Sequence, residues 1–313
     1  MADGSKIEWT DATWNPITGC SVVSPGCTNC YAMRLAGTRM KHHPSRAGLT
    51  QASKAGPVWN GQVRLNEGWL TQPLQWSRPR MVFVVAHGDL FHESVPDAWI
   101  DRVFAVMALC PRHTFQVLTK RAERMRQYIN HIPNTEDGLW PAALDVTGNA
   151  DAARKMPDTW PLPNVWLGVS VEDQIRADER IPTLAVTPAT IRFLSLEPLL
   201  DRIDLSVWLD QRSYYFDHGN EYPEGHRPER SIIDWVIAGG ESGPHARPML
   251  PSWIRFVRDQ CHRARVKFFF KQWGEWGPDT SRAWPIDAEP MERWGKKRSG
   301  RKLDGFEHNG FPA

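Results

Sequence analysis

The sequence predicts an α/β protein built on a parallel sheet or barrel. Six short runs rich in β-branched and aromatic residues read as buried parallel strands, at 81–86, 114–118, 164–171, 191–196, 232–238 and 266–270. Helical periodicity follows some of them, at 96–109, 120–129 and 252–265. Each strand-like run stops at polar or glycine residues, and strands alternating with helices imply crossover connections.

The helix at 96–109 opens on Pro96 and places Ile100, Phe104, Val106 and Met107 broadly on one side. That at 252–265 turns Trp253, Phe256 and Val257 inward. Three stretches lack a clear period, at 42–79, 132–162 and 209–230, and each is rich in proline, glycine or charge. They read as insertions that build a substrate surface on a single domain over 1–275. Residues 276–313 read as a C-terminal basic extension, with Lys296, Lys297, Arg298 and Arg301.

The chain has 313 residues, 41% of them hydrophobic, with 38 Lys and Arg against 36 Asp and Glu, a balance that excludes disorder as the main state. No run approaches the roughly 20 apolar residues of a membrane span. The first residues lack the basic and apolar regions of a secretory signal. Five cysteines, an odd and low count, argue against a disulfide framework and for a reducing cytoplasm.

The near-neutral balance hides a segregation. Between Tyr31 and Arg80 stand Arg34, Arg39, Lys41, Arg46, Lys54, Arg64, Arg78 and Arg80, with Glu67 the only acid. Interleaved with Trp59, Trp69 and Trp76, these suit a polyanion whose bases stack, against the alternative of solvated loops and core tryptophans.

The strand ends carry the polar residues: His87-Gly88-Asp89, Thr119-Lys120-Arg121, Ser170-Val171-Glu172, Ser195-Leu196-Glu197, Gly239-Gly240-Glu241-Ser242 and Lys271-Gln272. In α/β proteins such ends line the site; ion pairs around the rim are the alternative for each residue.

Cys20, Cys27 and Cys30 form a C-x6-C-x2-C loop punctuated by Gly19, Pro25 and Gly26. Three readings are open. Structural zinc needs a fourth ligand, for which His42 and His43 are candidates. An iron–sulfur cluster on three cysteines keeps one iron open to a small molecule. Three free buried thiols are the third reading. Cys110 and Cys261 fall in helix-like segments and read as core.

With the segments 15–31, 118–121 (LTKR), 167–172 (LGVSVE), 193–200 (FLSLEPLL), 239–243 (GGESG) and 270–274 (FKQWG), the chain resembles the phage-associated three-Cys-motif family, a divergent branch of the radical S-adenosylmethionine superfamily. The spacing departs from the superfamily's usual C-x3-C-x2-C, Asn29 stands where an aromatic residue is usual, and the Gly-Gly-Glu stretch follows a late strand instead of an early one.

The resemblance implies a partial (β/α) barrel of parallel strands. It implies a [4Fe–4S] cluster on Cys20, Cys27 and Cys30, and S-adenosylmethionine cleaved to a 5′-deoxyadenosyl radical with an external electron donor such as flavodoxin or ferredoxin. Gly239, Gly240, Glu241 and Ser242 would then meet the methionine amino group. Ser170 and Glu172 are candidates for ribose or carboxylate contacts, and Lys120 and Arg121 for the methionine carboxylate or a substrate phosphate. Glu197 is a candidate for the ammonium group or a proton donor's positioning, Asp89 and Lys271 for substrate contact. The implied reaction modifies or isomerises a substituent on a nucleobase, a hypermodified thymine in phage DNA, with the base out of the stack. Radical repair of damaged bases and a non-catalytic zinc-stabilised nucleic-acid-binding protein are the alternatives.

Overall fold

A computed structural model describes residues 4–132, 138–210, 231–279, 281, 283–285 and 288–312. Its main sheet has seven strands: β1 (Ala12–Trp14), β2 (Met81–Val84), β3 (Thr114–Thr119), β4 (Val165–Ser170), β5 (Ile191–Leu196), β6 (Trp235–Gly239) and β7 (Lys267–Gln272). They lie side by side in chain order, and the sheet is the parallel partial (β/α) barrel. Strand β6 is buried along its whole length, as a central parallel strand with both faces covered must be.

The chain divides into two compact units, 1–168 with 186–190 and 169–185 with 191–313. In the first, helix α1 (Tyr31–Gly37) follows the cysteine loop, and α2 (Asp97–Ala108) and α3 (Ala122–His131) follow β2 and β3. Pro96 caps α2 and Asp97 sits in its first turn, where a carboxylate suits the helix dipole. Its buried Ile100, Val103, Phe104 and Met107 recur at three- and four-residue spacing, which is why this face turns inward.

The insertion at 42–79 is folded. Thr50–Ser53 pairs with Gly56–Trp59, and Arg64–Leu65 pairs with Ile17–Thr18. Trp59 is core: it packs with Ala32, Met33, Ala36 and Leu49 beneath Cys20 and Cys30, leaving Trp69 and Trp76 as the partly exposed tryptophans of that stretch. In the stretch 132–162, two short helices, Trp140–Thr147 and Ala150–Ala153, bring Ala142, Ala143 and Ala153 against Ala105 of α2.

In the second unit, α4 (Gln174–Ala185) and α5 (Pro251–Ala264) flank the strands. The far end of the stretch expected as a basic extension covers the edge strand. Asn309 bridges Phe269, Trp235 donates to the Gly310 carbonyl at 2.7 Å, and Phe311 packs on Trp235 and Phe269. Most of the insertion expected at 209–230 lies outside the described residues. Among the described residues no helix is long and apolar enough to cross a membrane.

Candidate functional site: the cysteine loop and the strand ends

The loop from Asn15 to Cys30 leaves β1 and is stitched to the carboxyl end of β2. Gly19 pairs with Gly88 in a parallel bridge, the Gly19 amide donates to the His87 carbonyl at 3.3 Å, and the His87 amide donates to Asn15 Oδ1 at 3.0 Å. Gly19 has φ +100°, and a Cβ there would stand 2.1 Å from the Gln62 carbonyl oxygen. No side chain fits without moving backbone. Gly19→Ala is therefore expected to cost at least about 1–3 kcal/mol from backbone strain alone. A melting temperature lowered by several degrees checks this; an unchanged one contradicts it.

Pro25–Cys27 forms a single 3-10 turn, and Cys30 caps α1. Cys27 lies within electrostatic reach of both Cys20 and Cys30. Each sulfur has a neighbouring donor. Arg121 Nη1 lies 3.7 Å from Cys20 Sγ, the Ser24 hydroxyl 3.8 Å from Cys27 Sγ, and the Ala32 and Met33 amides and the Trp59 side chain bond the Cys30 sulfur. Burial, then Asp89, pushes the Cys20 thiol up to about 12, against the pull of Arg121. Burial likewise raises Cys30.

Arg121 is 7% exposed and fully engaged. Its Nε donates to Glu93 at 2.8 Å, Nη1 to Asp89 at 2.9 Å and Nη2 to the Ser21 hydroxyl at 2.7 Å. Asp89, also buried, accepts from the amides of Phe91 and Lys120 and from the Thr119 hydroxyl as well. As placed, Arg121 and Asp89 serve each other and the loop, so neither presents a bare charge to a ligand.

His87 and Arg46 form a second group that the sequence reading did not single out. Arg46 is 2% exposed, and its Nη2 lies 2.6 Å from His87 Nδ1. A guanidinium only donates, so Nδ1 accepts and the proton of neutral His87 sits on Nε2. Burial, then Arg46, lowers His87 to about 4, and burial and the nearby Arg64 lower Arg46 to about 10. The histidine at the strand end is a legible signal, but Arg46 reads as one more basic residue suited to a polyanion. The Tyr31 hydroxyl donates to the Ala86 carbonyl at 2.7 Å, its ring meets His87 edge-on, and the residue is 55% exposed.

A pH dependence follows. His87 titrates near 6.5 when unfolded and near 4 in the fold, so the unfolded chain binds the extra proton between those values. Its contribution is fully present above about 6.5 and is lost as pH falls to about 4, up to about 3 kcal/mol. Urea unfolding of wild type and His87→Asn from pH 7.5 to 4 checks it; parallel pH profiles for the two contradict it.

In the second unit, Ser170 ends β4 and Glu172 follows it. Glu172 is fully buried, with Oε2 3.1 Å from Arg180 Nη1, and the same Nη1 donates to the Ser170 carbonyl at 2.8 Å. Glu197 accepts from Lys271 Nζ at 2.6 Å. Glu241 accepts three bonds from Arg247, two from the guanidinium and one from the amide. Ser242 receives Gln272 Nε2 at 3.1 Å. A Cβ on Gly240 would stand 1.9 Å from the Trp273 carbonyl oxygen, so this glycine lets two backbones approach. Each of Glu172, Glu197 and Glu241 is thus matched by a cation of its own unit.

Among the described residues no group of three or more His, Cys, Asp or Glu side chains is placed to hold a metal ion. Sulfurs around one zinc stand within about 4 Å of each other, whereas cluster thiolates bind separate irons and stand farther apart. By donor chemistry alone, three free thiols on one loop are the soft ligands that an iron–sulfur cluster takes. His43 is engaged elsewhere, by Ser45 at 2.7 Å and by the Trp69 ring.

Fold and site together define an α/β protein with a parallel sheet and a three-cysteine loop at the carboxyl end of an early strand. The chain belongs to the DUF5131 family, described as a protein of unknown function, whose sequence profile matches residues 4–312. No curated protein and no solved structure matches it.

Proposed function

We propose that this protein is a radical S-adenosylmethionine enzyme that modifies or isomerises a substituent on a nucleobase, with a hypermodified thymine in phage DNA as the substrate. The observation that carries this reading is the cysteine loop: three free thiols on one loop, with donors near each sulfur. Cys20, Cys27 and Cys30 would hold the [4Fe–4S] cluster. When bound, the cluster supplies the electron that cleaves the sulfonium of S-adenosylmethionine and so opens carbon-radical chemistry.

The chain's own residues supply the surroundings. The small core under Cys20 and Cys30 excludes water from one side of the loop. His87 is held as a neutral donor on Nε2, and the exposed Tyr31 ring, one residue past Cys30, offers a face on which a base can stack. The exposed Arg39, Lys41, Lys54 and Arg78 suit phosphate contacts. The family resemblance gives Ser170, Gly239, Gly240, Glu241 and Ser242 roles toward S-adenosylmethionine. Glu197, Lys271 and Lys120 are its candidates for catalytic roles.

The test incubates the reduced, iron-loaded protein with S-adenosylmethionine and DNA carrying a modified thymine. Formation of 5′-deoxyadenosine with a changed base in the digested DNA supports the reading. A protein that binds iron yet leaves S-adenosylmethionine intact contradicts it.

A further inference from the structure

The Arg121 network asks for a role of its own. Arg121 ties the ends of β2 and β3 to the cysteine loop through four partners, Asp89, Glu93, Ser21 and the Cys20 sulfur. Glu93 is largely exposed, whereas Arg121 and Asp89 are both buried, so the pair Asp89–Arg121 is the desolvated one. Ser21 is held from a second side, by His92 Nε2 at 3.1 Å. Buried ion pairs are costly to build, and this one sits against a single sulfur with its two charges acting in opposite directions.

We propose that Arg121 is a positioning residue: with Asp89 holding its guanidinium, it places Ser21 and donates to the Cys20 sulfur, and the pair sets the reduction potential of the bound cluster. This rests on the cluster reading above. Reduction adds one electron to the cluster, so a nearby cation and a hydrogen bond to a ligating sulfur favour it, and a nearby carboxylate opposes it. Two substitutions therefore move the potential in opposite senses. Arg121→Met keeps an unbranched, apolar stem and removes the charge and the donor. Asp89→Asn keeps the shape and removes the negative charge, while Glu93 still holds Arg121.

The experiment is an anaerobic redox titration of reconstituted full-length protein, followed by electron paramagnetic resonance, with iron and sulfide counted per chain. Arg121→Met is expected to lower the reduction equilibrium constant about tenfold, which is about 59 mV for one electron. Asp89→Asn is expected to raise the potential. A residue that merely braced the loop would shift both variants alike or neither. Iron-loaded variants with potentials that stay at the wild-type value, or move in the same direction, overturn the proposal. If Arg121→Met does not fold, the upward shift in Asp89→Asn decides alone. Wild-type protein that binds no iron overturns the cluster reading instead, a distinguishable failure.

Discussion

Cys27→Ala is expected to reduce bound iron from about four per chain to background and to abolish 5′-deoxyadenosine formation. Cys27 is the middle member of the set, electrostatically coupled to both Cys20 and Cys30. Its loss leaves two of the three thiolate ligands, too few to retain the cluster. Cys110→Ala is the control. Cys110 is fully buried, at the end of α2, and burial pushes its thiol up to about 11, the environment of an inert core cysteine. That variant is expected to keep its iron. Equal iron in wild type and Cys27→Ala would remove the loop from the chemistry.

Glu172→Ala is expected to destabilise the protein by about 3–5 kcal/mol without any ligand present. Glu172 and Arg180 are 0% and 3% exposed, so deletion of the carboxylate leaves a guanidinium in the interior with only the Ser170 carbonyl for company on Nη1. Arg180 Nε has no partner among the described residues, so the cation has little else to fall back on. The paired replacement Glu172→Leu with Arg180→Met is expected to recover most of the loss, because removing both charges also removes their desolvation cost. Urea unfolding of the metal-free protein measures both. A near-neutral Glu172→Ala would mean that the pair is not structural, and would return Glu172 to the contacts for S-adenosylmethionine.

The strands were legible because a buried parallel strand writes a continuous apolar run: the segment 191–196 matches β5 to the residue, and the other five expected strands overlap β2, β3, β4, β6 and β7. Strand β1 was not, since Ala12-Thr13-Trp14 is too short to show a pattern. Helix α4 was hidden for another reason. It carries Pro182 in its interior and spends an inward position on Arg180, so its buried face, Ala177, Arg180, Ile181 and Leu184, does not read as apolar.

The site divides in the same way. The three cysteines announce themselves by spacing. The carboxylates at the strand ends were found by position, but their partners Arg180 and Arg247 lie eight and six residues further on in unremarked segments. Sequence gives charges without saying which are already matched, and matching decides whether a carboxylate meets a ligand or a neighbour. Arg46 makes the same point from the basic side. Its place in a positively charged stretch suggested a solvated contact, while the fold buries it against His87.

The most direct test of the account is the metal content of the anaerobically reconstituted protein. The wild-type protein is expected to be brown, with about four irons and about four sulfides per chain, lost when Cys20, Cys27 or Cys30 is replaced. A colourless protein holding one zinc per chain would contradict it.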